Sequence, residues 1–201
     1  MALPSWVPDA ETKPAPMPLL VVQSFVNTRE ADSGVDLLAD PASASRWLRD
    51  AGLIAPDAAD VDDALVRRVR ESIRALLVRN GSGDAPEPSE PGALGALAEA
   101  CRFRAGVLTD GIVELRPEPG GAPALAALLL IVRDAQRDGT WGRLKACRNP
   151  DCRWAYYDRS HAGRGAWCDM AVCGNRIKNR NLRSRRSGAG HAADGKVSDS
   201  A

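Results

Sequence analysis

No stretch of eighteen consecutive apolar residues occurs in the 201-residue chain, so a membrane-spanning helix is not expected. The first residues, Met1-Ala2-Leu3-Pro4-Ser5-Trp6-Val7-Pro8-Asp9, carry no basic run and are interrupted by prolines, so a secretory leader is not expected either. Histidine is limited to two residues, His161 and His191. There is no glycine-rich phosphate loop and no serine, histidine and aspartate arrangement, so enzymatic activity is not expected. These absences point to a cytoplasmic location, in a reducing compartment, where paired cysteines favour a metal over a disulfide. Two disulfides in an exported domain are the alternative.

Net charge is only +1, but it is unevenly spread. Residues 143–186 hold twelve Lys+Arg against three Asp+Glu, a net +9, whereas residues 1–142 are net −7. An acidic body with a basic end is expected to touch a polyanion through the end alone.

Cysteine is sparse, five in all, yet four lie in this basic region. Cys147 and Cys152 form one C-x4-C pair, Cys168 and Cys173 a second, with fifteen residues between the pairs. Four thiolates can surround one Zn²⁺ at about 2.3 Å each, which closes the shell and predicts one structural rather than catalytic zinc. His161, in the intervening loop, is the only alternative ligand. A segment of this size has too little core to fold unaided, so the metal is expected to supply most of its folding free energy. Cys101 stands alone and reads as a small buried hydrophobe, with a redox-sensing thiol as the minor reading.

The two C-x4-C pairs, Trp167-Cys168, and the block Met170-Ala171-Val172-Cys173-Gly174-Asn175-Arg176 with Lys178 two residues on resemble the CGNR zinc-finger family. The resemblance implies a bacterial protein whose C-terminal zinc module binds DNA, preceded by a domain called ABATE, described as a stress-induced transcription regulator. Phe25-Val26-Asn27-Thr28, Asp36-Leu37-Leu38, Trp47-Leu48 and Ala51-Gly52-Leu53 are similar to the start of that domain. A helix, a hairpin, a helix and then Trp141-Gly142-Arg143-Leu144-Lys145-Ala146-Cys147 continue the likeness into the finger.

Taken in order, residues 1–18 contain five prolines and are expected as a disordered tail. Residues 19–142 are expected as the ABATE-like α+β domain, 143–186 as the zinc finger and 187–201 as a second disordered tail. The predicted fold class is α+β: a mainly helical N-terminal domain with a β-hairpin, then a small four-cysteine module of knuckle hairpin plus basic helix. Leu19, Val22, Phe25 and Val26 predict a first helix, against a competing strand through Leu19–Val22. Asp40-Pro41 predicts an N-cap with proline at the first helical position, and Gly52 the end of that helix. Val61, Leu65, Val69, Ile73, Leu76 and Leu77 form the stripe of the longest helix, with Arg67, Arg68, Arg70, Glu71 and Arg74 read as its solvated face and Asn80-Gly81 as its end. Residues 81–92 read as an acidic linker or loop. Asp110-Gly111 predicts a two-residue hairpin turn. Leu125, Leu128, Leu129 and Val132 mark the core face of a further helix.

Within the module, the runs at Trp154–Tyr157 and Ala166–Trp167 are expected to pair as a hairpin whose polar loop carries Arg159 and Arg164. Gly174 is read as admitting a close approach or a positive φ, and Asn175 as bracing the knuckle, with contact to a base edge as its alternative. On the helix that follows, Arg176, Arg180 and Arg183 fall within about 60° of one another. With Lys178, Arg185 and Arg186 they form the expected contact to duplex DNA, because guanidinium pairs bidentately with phosphate. Asn27, Thr28 and Arg29 either line a ligand pocket or cap a helix. The expected whole is a DNA-binding transcription regulator with a sensing or dimerising N-terminal domain. A small-molecule effector and a homodimer are its expected partners beside DNA, and no membrane is involved. The alternatives are a zinc-stabilised protein-interaction module, or an RNA or single-strand binder stacking bases on Trp154, Tyr156 or Tyr157.

Overall fold

The computed structural model describes residues 3–82, 92–118 and 122–180. At the centre of the fold lies one short helix, α1 (Leu19–Val26), whose eight residues are all buried, Gln23 and Ser24 included. A helix apolar on all sides has no solvent face to keep, which is why the helical reading prevails over the strand here. Against it lie α3 (Asp63–Ser82) and α5 (Pro123–Arg137). α2 (Pro41–Asp50) closes one flank through Trp47, whose ring lies 5.7 Å from Phe25. Asp40 caps α2 as expected, accepting from the Ser43 N–H at 2.9 Å, and Gly52 follows the helix at φ +71°.

The long helix departs from its predicted face. Val66, Val69, Ile73 and Leu77 are buried, but so are Arg70 and Arg74, which the periodicity places on the solvated side. The Arg70 guanidinium is 1 % exposed and grips Asp36 with two hydrogen bonds, 2.6 and 2.8 Å, while donating to Glu71 and Thr28. Arg74 donates to the Val26 carbonyl at 2.7 Å and the Arg153 carbonyl at 3.0 Å, so it ties the end of α1 to the zinc module. Guanidinium offers five donors, and a buried one persists only where most are used. Asn80-Gly81 does not end the helix, which runs to Ser82. Asn80 donates to the Trp141 and Leu144 carbonyls, both at 2.9 Å, and a side chain at Gly81 would meet the Ala146 carbonyl at 3.3 Å. The pair serves packing against the next segment rather than termination.

After α4 (Gly92–Ala100), β1 (Phe103–Val107) and β2 (Val113–Pro117) form an antiparallel hairpin with Ala105 opposite Leu115. Its turn has three residues, not two: Leu108 and Ile112 still bond across it, and Gly111 adopts φ +84°. Cys101 packs partly buried beside the core and burial pushes its thiol up, which fits the inert reading. Of the expected linker, residues 83–91 lie outside the described residues, as does the whole tail 187–201.

Residues 3–18 correct the expectation of a disordered tail. They lie across the body as an arm, with Val7 and Ala15 buried and Trp6 against Trp47 at 6.4 Å. Prolines exclude regular structure but not burial. The arm's polar groups find partners elsewhere: Gln23 accepts from the Ala15 N–H at 2.7 Å, and the Lys13 carbonyl accepts from Tyr157 at 2.9 Å. Among the described residues, no helix is long and apolar enough to cross a membrane.

Candidate metal centre

A 3-10 turn (Trp141–Arg143) leads into β3 (Leu144–Ala146), which pairs antiparallel with β4 (Ala155–Tyr157). This is the hairpin of the module, but its first strand is not the expected one. Ala166 and Trp167 form no strand; the former only accepts from the Arg148 N–H at 3.0 Å. The reason is packing: every residue of β3 and β4 is buried, because the hairpin lies against α3 and α1.

The hairpin's seam to the body is made by side-chain amides. Asn27, 1 % exposed, accepts from the Ala155 N–H at 2.7 Å and donates to the Ala155 carbonyl at 2.8 Å, closing a two-bond clasp. Its amide also reaches Glu11 on the arm, whose carboxyl is raised by burial despite the bonds it accepts. Thr28 donates to the Phe25 carbonyl at 2.7 Å, ending α1. Both residues of this pair line a cavity of about 600 Å³, while Arg29 lines a different, shallower depression.

The four cysteines Cys147, Cys152, Cys168 and Cys173 meet at the distal end of the hairpin, their sulfurs all within 4.8 Å of one another. Cys152 and Cys168 are 3.7 Å apart, Cys168 and Cys173 3.8 Å. A tetrahedron with metal–sulfur bonds of about 2.3 Å has edges of about 3.8 Å, so the donor set fits one zinc ion. Among the described residues, no histidine joins the cluster. Local turns bring the sulfurs in. Asn149 folds the first pair, its carbonyl accepting from the Cys152 and Arg153 N–H groups, and Arg153 completes the turn at φ +53°. Asp169 caps a wide π-type turn (Met170–Gly174), accepting from Val172 at 2.8 Å, and that turn places Cys173. Hydrogen bonding among the sulfurs pulls the Cys147 thiol down and pushes Cys152 and Cys168 up, the pattern of thiols too close to ionise together without a cation. The bracing amide is Asn149, buried and donating to the Cys173 sulfur at 3.9 Å, rather than Asn175, which is exposed with no side-chain hydrogen bond among the described residues. Gly174 takes no positive φ; a side chain there would meet Met170 and, at 3.3 Å, Trp167.

The loop predicted as merely polar is built around a buried ion pair. Lys145 and Asp158, 5 % and 4 % exposed, lie 2.9 Å apart. Burial alone would raise the Asp158 carboxyl, but Ser160, Lys145 and the Gly165 N–H donate to it and hold it well below the usual carboxylate range. Tyr156 and Tyr157 are buried here, the former donating to the Gly165 carbonyl at 2.8 Å. Neither has a ring face free for a base; only Trp154 is half-exposed.

Residues 175–180 continue the π-type turn as a helix. Arg176, Lys178 and Arg180 are exposed on it, whereas Arg183, Arg185 and Arg186 lie outside the described residues. Two of the three already hold carboxylates of the chain itself: Arg176 pairs with Asp32 of the α1–α2 loop at 2.9 Å, and Arg180 with Asp151 between the first two cysteines. None of the sequence signals foretold Asp32, since its partner lies 144 positions away.

Comparison with known families gives two matches. Residues 21–137 match the ABATE family, described as "Putative stress-induced transcription regulator". Residues 143–186 match the CGNR zinc finger. A search of curated proteins finds no match.

Proposed function

Since the chain belongs to the ABATE family and ends in a CGNR zinc finger, we propose that it is a transcription regulator whose zinc module binds duplex DNA. The observation that carries the reading is the exposed basic helix leaving a four-sulfur cluster directly at Cys173. One zinc ion held by Cys147, Cys152, Cys168 and Cys173 would fix the root of that helix; its role is mechanical, since four thiolates leave no open position. Arg176, Lys178 and Arg180, with Arg183, Arg185 and Arg186 beyond, then meet phosphate. The N-terminal domain senses a small molecule or dimerises, and the clasp between Asn27 and Ala155 supports a mechanical link from it to the module.

The test is an electrophoretic shift with random duplex DNA at several salt concentrations. Six phosphate contacts give a slope of log affinity against log salt of about −5. An absent or salt-insensitive shift overturns the reading. A second reading has its own support: the carboxylates of Asp32 and Asp151 on two of the arginines show the chemistry by which an acidic protein partner would be held. That partner class is favoured if duplex DNA fails to shift while an acidic polypeptide binds. The single-strand alternative loses Tyr156 and Tyr157 to burial.

A further inference from the structure

The cavity of about 600 Å³ lies between the N-terminal arm, α2 and the α1–α2 loop, and its size is that of a small-molecule site. Two of its walls are tryptophans. Trp6 comes from the arm and Trp47 from α2, and they meet edge to face at 80°. The Trp47 indole N–H is already committed, donating to the Trp6 carbonyl at 3.2 Å, and its ring, 5 % exposed and packed against Phe25, backs the cavity, so Trp6, half-buried on the arm, is the ring open to a guest. In a chain with only nine aromatic residues, two of five tryptophans meet at one cavity.

Charge decides what guest this is. Asp36 contributes little, because Arg70 neutralises it through both carboxylate oxygens. The remaining charged lining is Asp9, Glu30 and Asp50 against Arg46, a net of two negative charges. Glu30 accepts from Ser33 and from no cation among the described residues; Asp9 and Asp50 are exposed and likewise lack an ion pair there. Indole rings beside uncommitted carboxylates are the recognition chemistry of an organic cation: the ring quadrupole and the carboxylates attract the same sign, and an apolar substituent buries against the rings. An anion would face both the carboxylates and the ring electrons.

We propose that this cavity binds an organic cation, a substituted ammonium bearing an apolar group. The inference rests on the sensing role given above to the N-terminal domain and supplies the ligand class for it. The location suits such a role. Glu30 also lines a smaller cavity, of about 260 Å³, against Cys152, Cys168 and Cys173, and two residues on is Asp32, the partner of Arg176. A cation drawn to Glu30 therefore acts on the loop that holds the basic helix.

The experiment is a calorimetric titration of the zinc-loaded full chain with benzyltrimethylammonium and, separately, with phenylacetate as its anionic counterpart, followed in parallel by tryptophan fluorescence. The expected result is saturable binding of the cation with a Kd of about 1 mM or tighter, and none of the anion. In the double variant Asp9→Asn, Asp50→Asn, both sites being exposed, the cation should bind about tenfold more weakly, a loss of about 1.4 kcal/mol, with the circular dichroism unchanged. No saturation by the cation, equal binding of the anion, or undiminished binding in the double variant each overturns the proposal. DNA plays no part in this titration. A failed DNA shift therefore leaves its result standing, and a failed titration leaves the DNA reading standing.

Discussion

The body, residues 19–137, and the module that begins at residue 143 reach order by different routes. In the body, apolar side chains from five helices converge, and α1 is enclosed so fully that even Gln23 and Ser24 are out of solvent. In the module the apolar part stops at the β3–β4 hairpin, where Leu144, Ala146, Ala155 and Tyr157 join the body's own core. Beyond it the buried groups are sulfur and amide, Cys147, Cys173 and Asn149, and a buried charge pair, Lys145 of β3 with Asp158, borders it. Hydrophobic burial tolerates loss of single contacts, because its gain is spread over area. A metal shell and a buried polar network fail as units, because each leaves uncompensated groups behind. The outer module should therefore be the part that chelators can switch, with the body staying folded beneath it.

The largest effect should follow removal of zinc. Structural zinc contributes about 10–16 kcal/mol of apparent binding free energy in isolated fingers. Chelation, or Cys173→Ser, should abolish the DNA shift and the ordered amide signals of residues 147–180. The helical circular dichroism of the body should persist. If the metal-free chain kept those amide signals, the contrast between the regions would be lost. Asn27→Ala tests the seam between them. It leaves the buried Ala155 N–H without its acceptor, which should cost about 2 kcal/mol in urea denaturation. A cost near zero would show that the Asn27 clasp is not what holds the hairpin.

Acid should act on both regions, through one lowered carboxylate in each. Asp36 in the body is lowered: burial opposes this, but Arg70 and the Leu38 N–H outweigh it; Asp158 in the module is lowered likewise by its donors. Groups depressed in the folded state stabilise it above their unfolded pKa, about 3.9, and that stabilisation fades as pH falls through the folded value. Asp158→Asn should therefore be less stable than the parent at pH 7, with the gap narrowing below about pH 4. A gap that is constant with pH would mean that the Asp158 charge is not what stabilises the loop. The smallest effect belongs to Asp32→Asn. Its pair with Arg176 is more than half exposed on both sides, so stability should hardly change, while DNA affinity at low salt should rise severalfold as Arg176 is freed. Unchanged DNA affinity would separate that arginine from the interface.

Much of this was legible locally. The N-cap at Asp40, the turn glycines at 52 and 111, the apolar stripe through Val69, Ile73 and Leu77 and the four-cysteine spacing are all determined within a few residues of themselves. What escaped the sequence were partnerships across long separations. Arg70 and Arg74 look like surface charges because nothing nearby announces Asp36, Val26 or the Arg153 carbonyl. The arm looks disordered because its prolines exclude helix and strand, the only order that a local pattern can report. Ala155–Tyr157 was assigned the wrong partner because strand propensity names a strand but not its neighbour.

By itself the order of amino acids determined the zinc shell, the helices and the charge contrast between the two ends, since spacing, capping and periodicity act over a few residues. Only the tertiary structure decided which polar groups are buried, that the arm roofs a cavity of tryptophan and carboxylate, and that the basic helix leans on Asp32. Such contacts satisfy donors and acceptors brought together by the packing of α1 against everything else, and no short stretch of chain contains both halves of them.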